Sequence, residues 1–319
     1  MAGSSSSLVI RPLQERDIPA ADRIFREAFG TFIGLPDPMQ FTGDAAVVRS
    51  RFQAFPEAAF GAFLEERLVG SVFATRWGSF AFLGPLSVDP ALWDQGVAQR
   101  LMEPVMACFK AWGVAQAGLY TFPTSAKHLG LYHKFGFRPH FLTAVMGREL
   151  GGESASSAGF RSWGGVVEGE RESLLAGCRQ IAREVYPGLD LTEEILHLHR
   201  QGYGELVWTG EPREPEAFAL CHRGPGSEAG SGVCYVKFAA VRPGSGASEA
   251  FKSLLGSAEA YARSQGAGIL LAGVNTGRVR AYETMLRGGY RIQMTGISLF
   301  GFEGVGFNQP ESWVLDDWR

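Results

Sequence analysis

A single shift of 153 residues lays the second half of this chain on the first. It carries Val88 onto Val241, Pro90 onto Pro243, Leu101 onto Leu254 and Gly113 onto Gly266. Further along it carries Gly136 onto Gly289 and Arg138 onto Arg291. The register runs without a gap for about fifty residues, placing helical patterns on helical patterns and strand patterns on strand patterns. A chain built this way is constrained to fold the same unit twice. Its 319 residues suit that, since domains commonly run to about 150 residues. We therefore expect a domain at 1–150, a linker at 151–159 and a second domain at 160–319. The linker, GGESASSAG, has no periodicity.

Hydrophobic spacing orders the first half as β-α-α-β-β-β-α-β-α-β. Strands are expected at 8–12, 58–64, 67–76, 79–89, 117–122 and 137–148, and helices at 17–29, 44–55, 97–112 and 125–134. In the second half, helices are expected near 170–183, 192–200, 248–264 and 278–287. Strands are expected at 204–209, 216–222, 233–241, 268–274 and 290–300, before a closing tail, FEGVGFNQPESWVLDDWR.

Composition excludes several function classes. The net charge is −3 and no basic block occurs, which argues against nucleic acid as a partner. No apolar run approaches the ~20 residues of a membrane helix, so no membrane partner is expected. The start, MAGSSSSLVI, reads as a short floppy tail and not as a signal peptide. The four cysteines show neither CxxC nor Cys/His ligand spacing, which predicts no metal and reduced thiols in a cytoplasmic protein.

Residues 88–102, VDPALWDQGVAQRLM, place small residues at the mouth of a helix just after a strand. A helix N-terminus has unpaired N–H groups and a partial positive charge, and so it suits phosphate. Phosphate reaches those groups only where side chains are small, as at Gly96 and Ala98. The expected seat is the backbone of Asp94, Gln95, Gly96, Val97, Ala98 and Gln99.

With LSVDP before it and YHKFGF after it, this stretch resembles the GNAT superfamily of acyl-CoA N-acyltransferases. The motif V-x-P is Val88-Asp89-Pro90, and Q/R-x-x-G-x-G/A is Trp93 to Ala98. Y-x-x-x-G-F is met by Tyr132, Gly136 and Phe137. The resemblance covers the first half, and the offset extends it to a tandem two-domain bacterial arrangement. It implies an α/β (α+β) chain of two GNAT-like domains, each a mixed, mostly antiparallel central sheet flanked by helices. Three positions depart from the pattern: Trp93 replaces Gln/Arg, Ser125 replaces Asn and His128 replaces Ala.

The resemblance further implies acetyl-CoA as acyl donor and an amine, on a small molecule or a peptide, as acceptor. Backbone groups of Leu86, Ser87 and Val88 would pair with the pantetheine arm, and Ser125 would contact it. Tyr132 stands at the family's acid position, and a phenol can protonate a leaving thiolate. The Val88 N–H is the expected oxyanion donor. Asp89, Glu103, Tyr120, His128 and His133 are all open as general base. The apolar loop around Phe29, Phe32, Ile33, Leu35 and Pro36 is either an acceptor wall or a packing plug, with Phe141 and Trp77 as further candidates for the wall.

The offset replaces Gly96 by Glu249, Ala98 by Phe251 and Tyr132 by Met285. The second half is therefore expected to be degenerate. Three roles remain for it: stabilising the first half, shaping the acceptor cleft, or forming a homodimer. Three functions compete: an acetyl-CoA-dependent N-acetyltransferase, a non-catalytic acyl-CoA-binding sensor or scaffold, and, ranked below these, another acyl transfer on the same fold, such as that of a longer acyl group.

Overall fold

The computed structural model describes residues 7–151, 159–301 and 306–318. The expected N-terminal tail and linker fall almost wholly outside them. In the first half, β1 (Leu8–Pro12) leads to α1 (Ile18–Phe32) and α2 (Val47–Ala54). Strands β2 (Ala59–Leu64), β3 (Arg67–Trp77) and β4 (Phe80–Val88) follow, then α3 (Val97–Trp112), β5 (Gln116–Thr121), α4 (Ala126–Lys134) and β6 (Arg138–Glu149). The second half repeats this order: β7 (Arg161–Ser162), α5 (Glu168–Val185), α6 (Thr192–Arg200), β8 (Gly204–Glu211), β9 (Glu214–Gly224) and β10 (Gly230–Val241). It continues through α7 (Ala247–Ser264), β11 (Ile269–Asn275), α8 (Val279–Arg287) and β12 (Arg291–Gly301) to a short β13 (Val314–Leu315).

Alternation along β2 shows why helices cover both faces of the sheet. Ala59 and Phe63 pack under α1 and α2, while Phe60 and Ala62 turn to α3. Helix α3 buries Val97, Leu101, Met102, Val105 and Phe109 along one stripe and stops at Gly113, whose φ of 60° most side chains avoid.

The mixed, mostly antiparallel sheet expected for each half is present, and the two are joined into one of 13 strands. The order is β1-β2-β3-β4-β5-β12-β6-β11-β10-β9-β8-β7, with β13 added beside β10. Exchanging each strand for its counterpart in the other half reverses this order onto itself. Only β4–β5 and β10–β11 pair in parallel among the described residues.

Strands β6 and β12 have changed places: β12 fills the edge of β5, and β6 fills the edge of β11. They pair with each other so that Thr143 faces Gly296, the residue 153 positions on. An approximate two-fold axis passes there. Each half alone would leave the edge of its fifth strand bare, and the exchange covers both edges.

The halves also meet face to face. Trp77, Phe80 and Phe82 of β3 and β4 join one core with α5, α6 and β8–β10. Trp77 lies edge-on to Phe82 and Phe238, at 4.7 and 5.2 Å between ring centres, and its indole donates to Glu194. Each ring so buried contributes roughly 2–3 kcal/mol. The expected tail is not peripheral. Phe307, Trp313, Val314, Leu315 and Trp318 are buried.

Candidate active site

Strand β4 pairs with β5 only over Phe80–Leu83 and then parts from it at Gly84–Pro85. Proline has no N–H to continue a ladder. Beyond the split, β4 stays paired with β3, and Asp89 donates its N–H to Val69. Strand alternation therefore turns the N–H and C=O of Leu86 and Val88 toward the split. Ser87 turns the other way, pairing with Ser71 on β3, and the two hydroxyls lie 3.3 Å apart in the core. Of the three expected pantetheine contacts, Leu86 and Val88 thus present backbone to the cleft and Ser87 does not.

Trp93 neither stands free nor packs idly on the surface. Its indole N–H donates to the Val88 carbonyl at 2.8 Å, closing the end of β4. The Lys127 ammonium sits 5.7 Å from the ring and also pairs with Asp94.

The mouth of α3 is open. Gly96 occupies the N-cap position with φ of 78°, and no side chain caps the helix. A Cβ at Gly96 would meet nothing within 4 Å. The N–H groups of Val97, Ala98 and Gln99 therefore have neither a helical partner nor a side-chain cap. Asp94 also has positive φ, 66°, which turns the chain into this mouth, and the Gln95 amide folds back onto the Ala91 carbonyl.

Helix α4 flanks the cleft. Ser125 caps it, its hydroxyl accepting from the His128 N–H at 3.2 Å, so the expected cofactor contact spends this oxygen on the helix. His128 and Tyr132 lie one turn apart on the same face. Tyr132 is buried, and that burial pushes its phenol well above the usual tyrosine range. Burial, with Lys127 beside it, pushes the His128 imidazole below its usual range, so it is neutral at pH 7.

The segment expected as an apolar loop begins inside α1, which runs on to Phe32, and its rings divide between the two roles expected for it. Phe29 stacks on Phe41 at 5.4 Å and packs into the core under α1. Phe32 is 38 % exposed and lies 4.7 Å from Phe122 and 4.9 Å from His128. Phe32, Phe122 and His128 thus form an aromatic wall at the outer end of the cleft. Sequence reasoning missed Phe122 and placed no ring against His128, because the contacts join α1, the β5–α4 turn and α4. Phe141 and Trp77 do not contribute to this wall. Phe141 packs against Gly277 in the second half, and Trp77 is sealed between the halves.

Comparison with known proteins agrees with this geometry. Residues 22–137 match the model of the Acetyltransferase (GNAT) family. No protein of curated function matches the amino-acid sequence. A Pyrococcus horikoshii protein carrying an acetyltransferase designation is similar at TM-score 0.67 and 18 % identity, covering 96 % of this chain and 93 % of its own. A GCN5-related N-acetyltransferase from Sphaerobacter thermophilus is similar at TM-score 0.61 and 14 % identity, over 95 % of this chain and 98 % of its own. The glucosamine N-acetyltransferase region of a fungal multi-domain protein reaches TM-score 0.66 at 12 % identity, over 93 % of this chain and 38 % of its own. The chain therefore has the fold of the GCN5-related N-acetyltransferases over nearly its whole length, and its residues 22–137 match the GNAT acetyltransferase family model.

Proposed function

We propose that the protein is an acetyl-CoA-dependent N-acetyltransferase working through the cleft of its first half. We read 1–150 as the catalytic unit, 151–159 as the link and 160–319 as a degenerate second unit. The carrying observation is the backbone edge of Leu86 and the Val88 N–H, turned to the split and leading to an uncapped helix mouth at Gly96, with the Val88 carbonyl held by Trp93. Acetyl-CoA supplies the thioester. The amides of Val97, Ala98 and Gln99 hold its pyrophosphate, and Leu86 and Val88 hold its pantetheine as an added strand would be held. The Val88 N–H is aimed where the carbonyl oxygen gathers charge. As the amine nitrogen bonds to carbon and the carbon–sulfur bond breaks, Tyr132 gives the sulfur a proton, and the proton shed by the nitrogen passes through solvent to restore the phenol. The Phe32, Phe122 and His128 wall receives the acceptor, a primary amine on a small molecule or peptide. With four unpaired thiols, the reading suits a cytoplasmic protein.

The Trp93 latch on Val88 and the capping role of Ser125 favour a second reading, a binding protein that senses or scaffolds acyl-CoA without transfer. Calorimetric titration of acetyl-CoA, paired with an amine-acetylation assay, separates the two. Wild type should bind at one site, and Gly96→Glu should lose binding. Binding that survives Gly96→Glu removes the first-half cleft from the function. Binding without transfer to a broad amine panel selects the sensor.

A further inference from the structure

The second half contains the same split, and it is filled. Strand β10 pairs with β11 over Val233–Val236, the residues 153 positions after Phe80–Leu83. Beyond that point Ala239 and Ala240 pair with Leu315 and Val314 of β13, and the Val241 N–H donates to the Trp313 carbonyl at 3.1 Å. These three residues are the offset counterparts of Leu86, Ser87 and Val88.

Two further cofactor positions behave alike. Ser125 becomes Arg278, which is fully buried. Its guanidinium donates to Asn308 at 2.7 Å, to the Val314 carbonyl at 3.0 Å and to Asp316 at 2.6 Å. Ala98 becomes Phe251, whose ring lies 5.1 Å from Trp313. Tyr235 donates to Asp317 at 2.8 Å, beside Gly273, where a Cβ would collide with the aspartate. Every position assigned to the pantetheine arm in one half thus touches the C-terminal segment in the other.

We propose that the second-half cleft is a peptide site whose ligand is this chain's own segment 313–317, held there in place of coenzyme A. Backbone pairing gives the segment its extended form, and Arg278 reads its acid at Asp316. The comparison of clefts rests on the first-half reading above, but occupancy by the tail does not.

Hydrogen exchange on the full chain, with and without coenzyme A, tests this. Peptides spanning 306–318 should exchange more than ~100-fold slower than an unstructured chain. Coenzyme A should slow exchange in 84–99 and leave 237–251 and 306–318 unchanged. Tail exchange at the unstructured rate, or slowing in 237–251 by coenzyme A, overturns the proposal. If coenzyme A alters neither cleft while the tail stays protected, the cofactor reading fails and the tail site stands. Arg278→Ser, which copies the first half, should speed exchange of 313–317 by ~10-fold or more without unfolding the protein. An unchanged rate removes the arginine from recognition and sinks the idea of a dedicated site.

Discussion

At the scale of single residues, the proposed reaction divides its chemistry between Tyr132 and the Val88 N–H. One is a neutral phenol in a dry setting and the other a fixed dipole on a strand edge. Tyr132→Phe keeps the ring that packs beside Phe137, 6.5 Å away, and removes only the hydroxyl. We expect kcat to fall ~10²-fold or more with the Kd for coenzyme A unchanged, read by steady-state kinetics beside calorimetry. An unchanged kcat takes Tyr132 out of the mechanism. Gly96 was legible because an anion reaches a helix mouth only past small residues, and Tyr132 was legible only through the family motif it resembles. The bonds made by Trp93 and Ser125 were not. Each depends on where a neighbouring element lies, and the same residue types also suit solvent or cofactor.

At the scale of elements, the periodicities of 3.6 and 2 placed nearly every helix and strand of the described residues, and α3 was read at its observed bounds. The exchange of β6 and β12 stayed hidden. A repeat offset says which strands are equivalent, not which strands touch. The buried ends of the tail were hidden too, because Trp313, Val314 and Leu315 belong to no repeat and their partners come from β10. Residues 1–150 produced alone would expose the edges of β5 and β6 that β12 and β11 now cover. We expect that fragment to associate or precipitate, seen as loss of a monomer peak in size-exclusion chromatography. A stable monomer of that length would show the exchange to be dispensable.

At the scale of the whole molecule, a buried charge network ties the halves together. Arg51 of α2 forks onto Glu228 at 3.1 and 3.0 Å, Lys237 bridges Glu228 and Glu194 at 2.7 Å each, and Glu194 accepts from Trp77. Burial alone would raise the Glu228 carboxyl, but Arg51, Lys237 and His222 pull it far below its usual range. Beside them His222 is fully buried, and burial pushes its imidazole down to about 4 from 6.5. The unfolded chain therefore takes up a proton that the folded chain refuses. The stability His222 contributes is complete above pH 6.5 and declines as pH falls toward 4, by roughly 3 kcal/mol. Glu228 adds a second loss below 4.5, where an unfolded glutamate protonates. Urea denaturation from pH 7.5 to 4 should show this slope, and His222→Phe should flatten the part between 6.5 and 4.5 if it folds. A stability independent of pH over that interval would contradict the burial of a neutral imidazole.

Between separate molecules, a strand trade like that around Thr143 and Gly296 weakens on dilution and demands two identical partners. Whatever suits one member is imposed on the other. Within a single chain the trade is first-order, immune to dilution, and each copy mutates alone. Glu249 can stand opposite Gly96, and Arg278 opposite Ser125, without either change being inflicted twice. Covalent union thus lets the two copies diverge at such positions while each still covers the other's strand edge.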